Sequence, residues 1–202
     1  MEMQSLQDLF LDELRDVLHA ENQILKALPR MKKAASSPDL QSAFQEHIVQ
    51  TQGQIERLGR VFEAFGEKPK AKPCKAMQGI IEEGKEMMEE VGDDDVMDAT
   101  LIGSAQKVEH YEIASYGTLR TYAQLLGNDE AARLLQETLD EEKETDQKLT
   151  ALAENGINVE AMEPGEQGED AKTPAATRGR AKARTGAARP AGRAKARGAA
   201  RK

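Results

Sequence analysis

The stretch EKPKAKPCKAMQGIIEEGKEMMEEVGDD, Glu67 to Asp94, lies between two pairs of amphipathic segments and decides how those segments connect. Its head, EKPKAKPCK, is rich in Pro and Lys and reads as a linker. From Met77 to about Val91 it reads as a short helix closed by Gly92, and Asp93 to Asp95 offer capping groups for the next segment. Upstream, a helix from about Ser5 to Lys33 places Phe10, Leu14, Val17, Ile24 and Leu28 on one face. A second, from about Pro38 to Phe65, carries Leu40, Phe44, Leu58, Val61 and Phe65 and ends at Gly66. Downstream, a third long helix carries Ile102, Ala105, Leu119 and Ala123 and ends at Gly127. Asn128 and Asp129 cap a fourth, which runs to about Glu154 before the turn AENGIN.

Helices one and two are separated by a few residues around Ser36, Ser37 and Pro38, and helices three and four by a few around Asn128. Each pair is therefore an antiparallel hairpin. The Glu67–Asp94 connection is long enough to travel the length of a bundle, whereas an up-and-down bundle needs a short second loop. Two hairpins joined by one long crossover make the all-α, ferritin-like four-helix arrangement, predicted here for residues 1–158.

Composition agrees. The 202 residues include no Trp, four Phe and three Tyr, with 32% charged side chains, which suits a Leu-, Ile-, Ala- and Met-based helical core. No apolar run reaches the ~20 residues of a membrane span. The N-terminus MEMQSLQDLF is acidic and amphipathic, unlike a secretory signal. The single cysteine, Cys74, excludes an internal disulfide framework and is read as structural, partly exposed in its linker. These features predict a cytoplasmic protein without membrane contact. Met77, Met87 and Met88 read as packing for the crossover helix.

The net charge of −8 conceals two opposite parts. Residues 171–202 hold eleven Lys and Arg and no acid, so residues 1–170 carry −19. The segment 159–202 ends in an Ala/Arg/Lys-rich arm with no Leu, Ile, Val, Met or aromatic residue after Ala171. It is predicted to be a disordered basic tail. Such an arm neutralises phosphates without sequence preference, making nucleic acid a candidate partner and nucleoid association a candidate location. The alternatives are that it lies on the acidic body or serves solubility.

Each long helix interrupts its apolar stripe near the middle. In the first, the break is Glu21; in the second, His47 and Gln54 with Gln50 alongside; in the third, Glu109, Glu112 and Tyr116; in the fourth, Glu142 and Asp146. Counting back from the turns places Glu21 opposite roughly position 53 and Glu112 opposite roughly position 144, at the helical rise of ~1.5 Å per residue. Singly, each has a plain reading: Glu21 as a snorkelling edge residue, His47 as a hydrogen-bonded core histidine, Tyr116 as packing. Together, buried carboxylates at one depth repel one another and call for cations. Carboxylates with limited imidazole suit iron or manganese. The candidate ligands are Glu21, His47, Gln50, Gln54, Glu109, Glu112, Glu142 and Asp146, with Tyr116 as a candidate catalytic electron relay. His110 falls off the stripe, and Glu141 and Glu144 belong to a solvated charge run.

ELRDVLHAENQILKALPRM, KPCKAMQGIIEEG, AQKVEHYEIASYGTL and TLDEEKETDQKLT together resemble the YciE/YciF-type ferritin-like family of bacteria, over about Leu6 to Asn158. The resemblance implies a bundle that dimerises, a centre of two iron or manganese ions, and an association with stress responses. Gln50 stands where some relatives carry Glu, Gln54 where some carry His and Leu18 where some carry Tyr, which weakens the second helix as a ligand source. The function expected is oxidation of ferrous iron or removal of peroxide at that centre. The alternatives are a dimeric platform for a DNA-shielding tail, and a purely structural protein whose polar core is satisfied internally.

Overall fold

The computed structural model describes residues 3–162, and all regular structure among them is helical. The elements are α1 (Leu6–Ala34), α2 (Pro38–Ala64), α3 (Lys75–Glu90), α4 (Asp94–Leu125) and α5 (Asp129–Leu152), followed by a π-helical turn (Ala153–Ile157) and α6 (Asn158–Glu160). The tail predicted from 159 onward lies outside the described residues except for its first four. Among the described residues, no helix is long and apolar enough to cross a membrane.

Local chemistry sets the helix ends. Ser5 accepts a hydrogen bond from the Asp8 N–H, Ser37 caps α2 with Pro38 at its first position, and Asp93 and Asn128 cap α4 and α5. Helices α2 and α4 stop at Gly66 (φ 71°) and Gly127 (φ 75°), left-handed positions open to glycine at no steric cost. In both, the following residue's N–H reaches back to the last turn, Glu67 to the Phe62 carbonyl and Asn128 to the Ala123 carbonyl, each at 3.0 Å.

Side chains from distant positions fix the hairpins against each other. Buried Asp98, near the start of α4, accepts from the Ser36 and Ser37 N–H groups at 2.8 and 2.7 Å and from Ser36 Oγ at 2.7 Å. At the opposite end, Asn128 Nδ2 donates to the Ala64 carbonyl at 2.9 Å. Helix α4 therefore starts where α1 turns into α2 and finishes where α2 ends. It runs parallel to α2 and antiparallel to α1 and α5. Helix α3 must travel the other way, and its side chains show this: Cys74 at its cap meets Tyr111, while Gly84 meets Ser104. This is the ferritin-like order predicted from the loop lengths.

Two expectations for the crossover need correction. Cys74 is buried, not partly exposed: it caps α3, its Sγ lies 3.1 Å from Tyr111 Oη, and its N–H donates to His19 Nδ1. Met77 is fully buried and Met88 packs partly, but Met87 points to solvent, because consecutive residues are set about 100° apart around a helix and only one side of α3 lies on the bundle.

The apolar core comes in two blocks. One holds Phe10, Leu14, Val17, Leu58, Val61, Leu119 and Leu135, the other Ile24, Leu28, Leu40, Phe44, Leu101, Ile102 and Leu149. Between them lies a polar layer formed by the interruptions in the four stripes.

Candidate metal centre

The layer is built from positions that a helical period forces inward. Glu21, His47, Gln54, Glu109, Glu112 and Glu142 are all buried, with Glu21, Gln54 and Glu142 wholly inaccessible. One ligand atom from each of His47, Glu109, Glu112 and Glu142 lies within 4.8 Å of all the others. These four come from three helices, α2, α4 and α5, and His47 Nε2 stands 3.3 Å from Glu109 Oε1.

Hydrogen bonds inside the protein leave much of this layer unsatisfied. Glu21 Oε2, His47 Nε2, Gln54 Oε1, Glu109 Oε2, both Glu112 oxygens and Glu142 Oε2 are buried without a hydrogen-bond partner. Such atoms are rare in folded proteins, and each costs about 1–3 kcal/mol, more when charged. Concentrated at one depth and made of oxygen and imidazole nitrogen, they suit a hard or borderline cation.

The carboxyls respond to crowding by holding protons. Burial, then the charge of Glu142, raises Glu21 to about 8, although the hydrogen bond from Tyr116 opposes the rise. Burial and the neighbouring Glu142 push Glu109 well above the usual carboxylate range; burial and Glu21 do the same to Glu112. Tyr116, completely buried, donates its phenolic O–H to Glu21 Oε1, and burial pushes its own ionisation up.

Not every candidate enters the cluster. Glu21 sits beside it, facing Tyr116 and Glu112. Gln54 donates Nε2 to Glu142 and, at 3.1 Å, to Glu141, leaving its carbonyl oxygen free. Gln50 is half-buried and places Oε1 3.4 Å from His47 Nδ1, so it orients the imidazole instead of joining the cluster. Asp146 lies at the rim with its side chain 21% exposed, accepting from Gln106 Nε2 at 3.2 Å and pairing with His110 Nε2 at 3.3 Å. Its arm is one methylene shorter than that of Glu142, one turn earlier on α5. His110 is exposed, in keeping with its place off the stripe.

Sequence reasoning missed a support behind the layer. Arg57 grips both oxygens of Glu141, at 3.0 and 2.7 Å, and donates to Thr138 Oγ1 at 2.7 Å. Glu141 therefore belongs to an ordered network with Gln54, not to a free solvated run, while Glu144 is exposed as expected. An Arg one turn after Gln54 on the same helix was the available signal, but its partner lies 84 residues away.

Comparison with known proteins places this geometry in a lineage. Residues 5–162 match the family described as a domain of unknown function, DUF892. YciF of Escherichia coli K12 is 49% identical over 162 residues, 80% of this chain and 98% of YciF. The crystal structure of that E. coli stress protein superposes with a TM-score of 0.74 at 50% identity, covering 77% of this chain and 99% of the other. YcfI of Rhodopseudomonas palustris gives 0.73 at 46% identity, covering 74% and 95%. An Anabaena variabilis protein with a ferritin-like domain shares the fold alone, with a TM-score of 0.53 at 19% identity over 85% of this chain and 42% of that one. The chain belongs to the DUF892 family of YciF-type, ferritin-like helical proteins.

Proposed function

We propose that the polar layer is a carboxylate–imidazole centre for two iron or manganese ions, serving a stress response by oxidising ferrous iron or removing peroxide. The observation that carries this reading is the set of seven buried, unpartnered ligand atoms on Glu21, His47, Gln54, Glu109, Glu112 and Glu142. Ions held there would supply paired one-electron steps. His47, Glu109, Glu112 and Glu142 would hold them, with Glu21 and the Gln54 carbonyl adjacent. Gln50, accepting from His47 Nδ1, leaves Nε2 as the ligating nitrogen. Tyr116 keeps its phenolic proton against Glu21 Oε1, the arrangement that lets a tyrosine release an electron and a proton together.

The two glutamines make the centre less negative than an all-carboxylate one, so metal is held less firmly. The stress context comes from the relative YciF, a stress protein of E. coli. The test is elemental analysis of untagged protein beside Glu112→Ala. About two iron or manganese ions per chain, lost in the variant, support the centre; no bound metal after reconstitution with ferrous iron overturns it.

A second reading rests on the arm at 171–202, with eleven basic residues and no acid. In that reading a cytoplasmic dimer carries the arm to DNA. Deleting residues 171–202 should abolish DNA retention and its steep salt dependence while leaving metal content intact. Retention that survives the deletion removes this reading, and light scattering tests the dimer.

A further inference from the structure

A chamber of about 360 Å³ adjoins the acidic layer, with His47 and Glu109 on its wall. Its volume falls among the ~300–1,000 Å³ pockets that hold small organic ligands. Most of the wall is aliphatic, including Ile24, Leu28, Ile80, Ile81, Met88 and Val108. Within that wall Ser104 Oγ is buried and has no hydrogen-bond partner. Gly84 lies opposite, and a Cβ there would come within 3.3 Å of Ser104 Cβ and Oγ. The glycine keeps this part of the chamber open.

The exposed residues on the chamber are four cations, Lys26, Arg30, Lys85 and Lys148, against two acids, Glu46 and Glu144. Lys148 is bound to Glu46, and Lys85 pairs with Glu89 at 3.4 Å. Lys26 and Arg30, one helical turn apart on α1, have no ion pair among the described residues. The chamber thus offers an apolar interior beneath a cationic mouth. The aliphatic part of the wall, away from His47 and Glu109, offers too few hydrogen bonds for a sugar or nucleotide.

We propose that this chamber binds an aliphatic monocarboxylate, its carboxylate at Lys26 and Arg30 and its alkyl chain along the aliphatic wall toward His47 and Glu109. The reverse orientation would set one more carboxylate against Glu109. As the identification of a substrate class for the centre, the proposal rests on the metal reading above; as a binding site, it stands on the chamber alone.

Full-length protein, as purified and after chelation, is titrated with the fluorescent acid dansylaminoundecanoate. The bound probe is then competed with decanoate, decanol and decyltrimethylammonium. Saturable binding displaced best by decanoate and not by the ammonium is expected in both samples. Ala27→Phe, at a half-buried position on the chamber wall, should abolish it. The double variant K26E/R30E, at exposed sites that leave the fold alone, should weaken decanoate by about fivefold with decanol unchanged, as two screened surface charges would. Absence of saturable binding overturns the proposal. So does binding that neither variant weakens, which would assign the probe to another surface such as the basic arm. Metal content of the same samples separates the two readings: metal without acid binding removes only the chamber, and acid binding without metal removes only the centre.

Discussion

Chelating the protein and raising the pH from 5 to 8 should destabilise it progressively. Glu21 has its folded-state pKa raised from 4.5 to about 8, so the folded protein binds this proton more tightly than the unfolded chain. Stability from the group is fully present below pH 4.5 and is lost as the pH rises through about 8. At ~1.36 kcal/mol per pH unit, Glu21 alone represents about 5 kcal/mol across that window. For a protein of this size that corresponds to a fall of about 10–20 °C in Tm. Glu109 and Glu112 are raised in the same direction and steepen the loss. With metal bound, cations replace the protons, and binding strengthens as the ligands deprotonate. The gap in Tm between loaded and chelated protein should therefore be small at pH 5 and widest at pH 8. Differential scanning calorimetry at half-unit intervals, with Glu21→Gln beside the parent, measures both quantities. A chelated Tm that stays level or rises over this range would refute the reasoning. A slope that Glu21→Gln leaves untouched would show that the burden lies elsewhere.

Asp98→Ala should cost about 1.5–3 kcal/mol by chemical denaturation, because it removes the buried carboxylate to which the Ser36 and Ser37 N–H groups donate. Its metal content should match the parent, since Asp98 ties the turn and not the polar layer. Gln50→Leu should leave the fold intact but weaken metal affinity about 10–100-fold, the usual effect of releasing a histidine ligand from its orienting partner. Competition against a chelator of known affinity reads this out, and an unchanged affinity would mean that His47 is held by packing alone.

The stripes and loop lengths carried most of the fold. Leu14, Val17, Leu58 and Leu119 recur at helical spacing and are all buried, and Gly66 and Gly127 end their helices where their positions suggest. Because every member of a stripe shares one face, a carboxylate inside it had to point inward, which made Glu21, Glu109, Glu112 and Glu142 legible one helix at a time. Cys74 was misplaced because linker composition says nothing about what the linker lies against: its burial comes from Tyr111 and His19 on two other helices. Asp98 and Arg57 escaped notice for the same reason, their partners lying 62 and 84 residues away.

What the sequence determined by itself was periodicity: which residues face inward, where helices begin and end, and that four inward faces break at one depth. A local repeat of 3.6 residues fixes the inward faces, and the residue count from each turn fixes the depth of the breaks. Only the tertiary structure decided how the polar residues divide the work. It brought His47, Glu109, Glu112 and Glu142 within 4.8 Å, set Gln50 behind the imidazole and left Asp146 at the rim. Those outcomes depend on fractions of a helical turn and single methylenes between packed helices, distances that spacing along one chain does not encode.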